Sequence, residues 1–182
     1  MRITGGILRG RKAAVPEGII RPSMDRMRES VFAVLGDLSG LSFLDIFSGS
    51  GIIALEAASR GAAEVEAVEM DSQKRKTLLE NVAIAPVRIN CRFMAAELYV
   101  RRAKRSFDLI FCDPPFPYRF KRELIRDIAA SPLVKNGTRL MLHRPREEAS
   151  GDPVPFLDKE ESREYGRSVV DFFLGIKNDH SP

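Results

Sequence analysis

Phe43-Leu44-Asp45-Ile46-Phe47-Ser48-Gly49-Ser50-Gly51 is an apolar run that stops in a glycine-rich turn. A short apolar run bounded by turn residues reads as a buried strand. Gly49 and Gly51 permit a tight turn and close backbone approach to a ligand. Ala54 completes a G-x-G-x-x-A pattern, one residue type from the dinucleotide fingerprint. In open α/β sheets a turn that leaves a strand for a helix is where nucleotide-shaped cofactors sit. A tight strand-to-helix turn without a ligand would carry the same pattern.

Outward from this turn, strands and helices alternate. The pattern predicts strands at 42–47, 64–69, 86–90, 107–112 and 138–143, and helices at 51–60, 72–83, 94–103 and 120–130. Such alternation argues for a parallel sheet with right-handed crossovers. An earlier helix is predicted over roughly 24–36, with Ser23 as N-cap, Gly36 at its end, and Met27, Val31 and Val34 toward the core. Near the C-terminus, Phe156–Arg163 and Val169–Ile176 flank Glu164-Tyr165-Gly166-Arg167-Ser168 and read as a closing antiparallel hairpin. The stretch 144–155, with its Pro and Glu residues, is predicted to be an irregular connection. The expected organisation is a basic N-terminal hairpin arm, 1–22, followed by one α/β domain, 23–182.

Composition narrows the class. With 182 residues, 44% of them apolar, the chain can build one real core plus a small appendage. No apolar run approaches the roughly 18 residues of a membrane span, and Met1-Arg2-Ile3-Thr4-Gly5-Gly6 lacks a signal-peptide core. A cytoplasmic location is expected. Cys91 and Cys112 are expected to be reduced and buried, and with only His143 and His180 no metal site is expected. Residues 1–28 carry seven basic side chains against Glu17 and Asp25, a net +5 within a chain of net +4. A basic arm on a near-neutral body suggests a polyanionic partner. The other reading is a solvated terminus, against which the spacing of Ile3, Ile7, Leu8 and Val15 suggests a packed hairpin. Arg101, Arg102, Lys104 and Arg105 form a second basic cluster, either an RNA contact or a solvated helix end.

Two acids define the cofactor's chemistry. Asp45 stands beside the glycine turn, where it would face a cation and repel a pyrophosphate. Glu69 ends the next strand, where an acid can accept both ribose hydroxyls. This pairing suits S-adenosylmethionine better than NAD, because that ligand carries an amino acid, a ribose and an adenine but no phosphate. Glu69 and Asp71 could instead be a polar strand end and a helix cap.

The second informative run is Asp113-Pro114-Pro115-Phe116, which follows the apolar strand Phe107–Cys112. Two prolines fix the backbone and remove two donors, leaving an acid and carbonyls facing outward. That corner can accept both hydrogens of a planar –NH2 group while Phe116 stacks on the base. Asp113 and the Pro114 carbonyl would pyramidalise the amine and aim its lone pair at a methyl. Alternatively the corner is a Pro-rich turn capping a strand, with Phe116 in the core.

D-I-F-S-G-S-G, V-E-M-D and D-P-P-F, in this order and spacing, resemble the class I S-adenosylmethionine-dependent methyltransferases that act on exocyclic amines. The resemblance is closer to the bacterial 16S rRNA guanine-N(2) methyltransferases. It is carried by Arg2-Ile3-Thr4-Gly5-Gly6, by Arg9-Gly10-Arg11-Lys12, by Arg21–Phe32 and by Tyr165-Gly166, and covers nearly the whole chain. It implies a Rossmann-like, seven-stranded, mostly parallel sheet with an antiparallel last strand. It implies 16S rRNA as partner, within the 30S subunit or an assembly intermediate, and a monomer. Asp113, Pro114, Pro115 and Phe116 carry over as the amine site, and Asp45, Phe47, Gly49, Ser50, Gly51, Glu69 and Met70 as the cofactor site. Arg9, Arg11, Lys12, Arg21 and Arg28 would contact RNA or support the arm. Two departures stand out. Ser23 replaces the family's usual Thr, and Asn90-Cys91-Arg92-Phe93-Met94 offers no clear match to its adenine-holding acid or amide, so backbone near Phe93 and Met94 is expected there. Other readings are adenine-N6 methylation of DNA or RNA, an NAD-dependent oxidoreductase, and a non-catalytic RNA-binding assembly factor.

Overall fold

Seven strands form one sheet in the computed structural model, which describes residues 1–14, 22–149 and 151–177. The strands are β1 (Ser42–Ile46), β2 (Glu64–Val68), β3 (Ile89–Arg92), β4 (Leu109–Cys112), β5 (Arg139–Pro145), β6 (Leu157–Tyr165) and β7 (Ser168–Gly175). The helices are α1 (Pro22–Leu35), α2 (Ile52–Ser59), α3 (Arg75–Val82), α4 (Ala96–Arg101) and α5 (Lys121–Ala130). The sheet order is β3-β2-β1-β4-β5-β7-β6. Pairs among β1 to β5 are parallel, and β7 runs antiparallel to both β5 and β6. This is the parallel sheet that the alternation predicts, closed by the antiparallel hairpin and completed to the seven strands that the resemblance implies.

Strand periodicity sorts the core. Phe43, Leu109, Phe111 and Met141 pack on one face with α1 and α2 residues, while Leu44, Ile46, Ile110, Cys112 and Leu140 pack on the other with α4 and α5. A strand covered on both faces becomes a continuous apolar run, which is why β1 and β4 are so visible in the sequence. Cys112 is buried and Cys91 half-buried, both as free thiols.

Element ends differ from the periodicity reading where the tertiary register decides them. The third strand lies at Ile89–Arg92 instead of 86–90, because β2 sets its register with Val65 opposite Ile89 and Ala67 opposite Cys91. The helix expected over 72–83 opens as a 3-10 turn, Ser72–Lys74, capped by Asp71 accepting from Gln73 N at 3.0 Å. Helix α1 begins at Pro22, so Ser23 lies inside it.

Among the described residues the N-terminal arm is closed by a single antiparallel bridge, Arg2 with Lys12, around a run of turns. All eight residues of α2 are buried, among them Glu56 and Ser59. Buried polar groups need partners, and the arm supplies them. Thr4 donates to Glu56 from its N–H at 2.9 Å and its hydroxyl at 2.6 Å, Ser59 Oγ donates to Gly5 O at 2.7 Å, and Leu8 N–H donates to Ser59 Oγ at 2.9 Å. Arg28, only 1% exposed, reaches Glu56 at 3.2 Å and Arg2 O at 2.6 Å. Of the two roles expected for Arg28, it therefore has that of arm support, and its burial removes it from the RNA contacts. Arg21 lies outside the described residues.

Glu56→Ala removes the buried carboxylate shared by Thr4, Arg28 and Arg60 and leaves Arg28 only the half-exposed carboxylate of Asp25, at a cost of about 3 kcal/mol. Urea unfolding checks this, and the expected result is a lower midpoint with little change in slope.

Candidate active site

Parallel pairing of β1 with β4 sets Ile46 opposite Cys112, so both strands end side by side. Asp113 N–H donates to Ile46 O at 3.1 Å and extends that pairing into the two loops. The glycine turn and the Asp-Pro-Pro-Phe corner thereby meet at one sheet edge, beside an open cleft of roughly 1780 Å³. Phe47, Gly49, Glu69, Met70 and Asp113–Phe116 line it, with His143 from β5 and Tyr165–Ser168 from the β6–β7 turn. Ligands of open α/β sheets bind at the carboxyl ends of the strands, as here.

The turn is held from below. Phe47 has φ +65°, a conformation costly for a bulky side chain. Strain of this kind costs about 1–3 kcal/mol and persists where surroundings over-determine it. The Phe47 ring meets Tyr118 edge-on at 5.4 Å, and Ser48 N–H donates to Val68 O at 2.9 Å. Glu69 uses its two carboxylate oxygens on separate N–H groups, Gly49 at 2.7 Å and Asp71 at 2.8 Å, and each oxygen keeps lone pairs for a ligand. Asp45 is buried beneath the turn. Its Oδ2 accepts from Ser48 Oγ at 2.6 Å and Ala54 N–H at 3.2 Å, while its Oδ1 has no partner among the described residues. Burial pushes the Asp45 carboxyl up to about 7, against the pull of Ser48 and with reinforcement from Asp113.

The two glycines do different work. A Cβ at Gly49 would meet nothing nearer than Phe47 O at 4.0 Å, so its face is open. A Cβ at Gly51 would stand 3.2 Å from Val82 Cγ1 and 3.4 Å from Leu78 Cγ, so that glycine lets α3 approach the turn. Ser50 is buried, and its carbonyl accepts from Asn81 Nδ2 at 2.8 Å. Asn81 also holds Ala14 of the arm through both its amide groups, at 2.7 and 2.9 Å. Through Asn81, Ala14 of the arm is therefore tied to the glycine turn.

At the acidic corner, Asp113 Oδ1 pairs with His143 Nδ1 at 2.7 Å, and Oδ2 makes no hydrogen bond among the described residues. His143 is 5% exposed, its Nε2 has no partner among the described residues, and its ring meets Phe116 edge-on at 5.6 Å. The imidazole thus fixes one oxygen of the carboxylate and leaves the other without a hydrogen bond among the described residues. Lys121 secures the loop from behind, donating to Phe116 O at 2.7 Å and Tyr118 O at 2.8 Å. The Tyr118 hydroxyl donates to Glu97; burial, with that carboxylate beside it, pushes the phenol up.

Asp113, Pro114, Pro115, Phe116, Phe47, Gly49, Glu69 and Met70 converge on the cleft. Asp45, Ser50 and Gly51 support the turn from below without lining it, and half-buried Met94 packs beside the apolar core on the α4–α5 side. His143, Lys121 and Asn81 had no sequence signal as site residues. In the sequence, His143 stands out only as the end of a predicted strand and as one of two histidines, too few for a metal site.

This sheet order, its one reversed strand, and a glycine turn beside an Asp-Pro-Pro-Phe corner define a class I methyltransferase fold. The chain belongs to the family described as Conserved hypothetical protein 95, whose model matches residues 1–174. It is 38% identical over 120 residues to ribosomal RNA small subunit methyltransferase D of Escherichia coli K12, covering 64% of this chain and 60% of that protein. It is 31% identical over 137 residues to the protein of the same name from Haemophilus influenzae, covering 69% of this chain and 68% of the relative. The solved structure of Escherichia coli yhhF superposes with a TM-score of 0.85 at 29% identity, covering 96% of this chain and 97% of that one.

Gly49→Ala and Gly51→Ala separate ligand approach from packing. The Gly51 variant, strained at φ +79° and crowded by Val82, is expected to lose about 1–3 kcal/mol of stability. The Gly49 variant is strained as well, at φ +57°, but is not crowded, so it is expected to lose S-adenosylhomocysteine affinity out of proportion to its change in melting temperature. Calorimetric binding and thermal unfolding of the pair check this.

Proposed function

We propose that this protein transfers a methyl group from S-adenosylmethionine to the exocyclic 2-amino group of one guanine in 16S rRNA. The observation that carries the reading is the Asp113 carboxylate, which lines the cleft beside the Gly49 turn and is held at one oxygen by His143. Family membership and the names of the two relatives support rRNA as the substrate.

The residues fit S-adenosylmethionine. Asp45 holds a buried, unpartnered carboxylate oxygen beneath the turn, where its charge attracts an ammonium, while Gly49 offers an open face and Glu69 lone pairs to a ribose. When bound, this cofactor supplies an electrophilic methyl on a sulfonium. Asp113 Oδ2 and the Pro114 carbonyl then accept the two hydrogens of the base amine and direct its lone pair outward. Phe116 stacks on the base, an interaction of about 1–3 kcal/mol. The amine turns acidic only after it is methylated, so Asp113 takes up or passes on that proton late and need not be a strong base. The guanine must leave its stack to reach this corner. On the RNA side, Arg9, Arg11 and Lys12 are exposed on an arm that abuts the cofactor turn. The protein acts as a monomer on a 30S particle or its precursor in the cytoplasm. Among the described residues no helix is long and apolar enough to cross a membrane.

Asp113→Ala is expected to abolish methylation of rRNA while RNA binding and S-adenosylhomocysteine binding persist. Nucleoside mass spectrometry of rRNA from cells with and without the protein reads the mark. A missing N6-methyladenine in place of N2-methylguanine would overturn the base assignment, and retained methylation in the variant would overturn the corner.

Cofactor affinity is expected to depend on pH. Burial raises the Asp45 carboxyl to about 7, so the free protein favours the protonated form, and the stability this gives is lost as pH rises from the ordinary carboxylate range through that value. A bound ammonium favours the ionised form and expels the proton. S-adenosylhomocysteine affinity should therefore rise by up to about tenfold per pH unit on approaching 7 from below, then level off. Asp45→Asn should flatten the profile in calorimetric titrations.

A further inference from the structure

A second cavity, of about 330 Å³, lies behind the acidic corner. The segment Phe116-Pro117-Tyr118-Arg119 lines both this cavity and the main cleft, so it is the wall between them. The cavity floor is apolar, with Ile125 from α5, Leu142 from β5 and Phe173 from β7. Its rim is basic. Arg119, Arg122 and Arg126 are exposed, and none makes an ion pair among the described residues. Arg122 and Arg126 stand one turn apart on α5, where like charges repel and are unfavourable without a counter-charge.

The other cations of the cavity differ. Lys121 is buried against Phe116 O, Tyr118 O and Glu148, and Arg144 against Asp171. With Glu148 taken by Lys121, Asp152 is the acid left to the rim. A net positive rim over an apolar floor matches a nucleotide, with phosphate on the guanidinium groups and base on the floor. The shared wall makes the two sites neighbours for one strand, with the flipped target base on one side and the adjoining nucleotide on the other.

We propose that this cavity is a second RNA subsite that takes a nucleotide flanking the target guanine. The proposal rests on the rRNA methyltransferase reading. The test uses full-length protein, 30S particles from cells lacking it, and naked 16S rRNA. In the double variant Arg122→Glu/Arg126→Glu, KM for particles is expected to rise at least about tenfold. The kcat should stay within about twofold, and S-adenosylhomocysteine affinity should be unchanged. Binding to naked rRNA should show a log–log salt slope shallower by about 1.4–1.8, as for two lost phosphate contacts. Arg122→Lys/Arg126→Lys, which keeps the charge, should restore most of the binding. Val154→Trp, which places an indole in the cavity, should raise KM without altering the salt slope.

Wild-type KM and slope in the charge-reversed variant would overturn the subsite while leaving the methyltransferase reading intact. A defect seen on particles but absent on naked rRNA would also overturn it, by assigning the arginines to a ribosomal protein. If wild-type protein methylates neither substrate, the underlying function fails, and the subsite falls with it.

Discussion

The site depends on β1 and β4 being parallel neighbours that end at the same level. That adjacency brings a glycine turn and an acidic corner, separated by more than sixty residues of sequence, onto one edge. The bond from Asp113 N–H to Ile46 O continues the pairing one residue past the strands. Neither loop could be placed this closely by its own sequence. The sheet fixes their separation, and the loops supply the chemistry.

Polar groups in the interior are organised around that edge. Glu56, Asn81, His143 and Lys121 are each buried and each tie a loop or the arm to a regular element. Such groups are tolerable inside only when their hydrogen bonds are met. The exceptions are telling: Asp45 Oδ1 and His143 Nε2 are the buried side-chain polar atoms without a partner among the described residues. Both belong to the site. The Asp45 oxygen suits a cationic ligand group. The bare His143 nitrogen gives a proton no onward path, which favours a positioning role for the imidazole over a relay.

The strands read well from sequence because burial on both faces makes them apolar runs between turn residues. The acidic corner was equally legible, since two prolines after an acid restrict the backbone whatever surrounds them. The glycine turn was legible as a turn, but its division of labour was not. Gly49 faces the open cleft and Gly51 faces α3, and only the packing of Val82 and Leu78 distinguishes them. Arg28 looked like part of a basic arm because charge is visible in a sequence and burial is not. His143 and Lys121 escaped because their partners lie across loops and strands, in contacts that periodicity does not encode. The shift of β3 has the same origin, a register set by its neighbour.

The central claim is that the Asp113 carboxylate presents a base amine to a methyl held over the Gly49 turn. A crystal structure of the protein with S-adenosylhomocysteine and its target RNA tests it most directly. The account predicts the ligand's sulfur beside the corner and a flipped guanine with its 2-amino group on Asp113 Oδ2 and the Pro114 carbonyl. His143 should still hold Oδ1. A sulfur lying away from residue 113, or a base recognised elsewhere with that carboxylate turned inward, would contradict it.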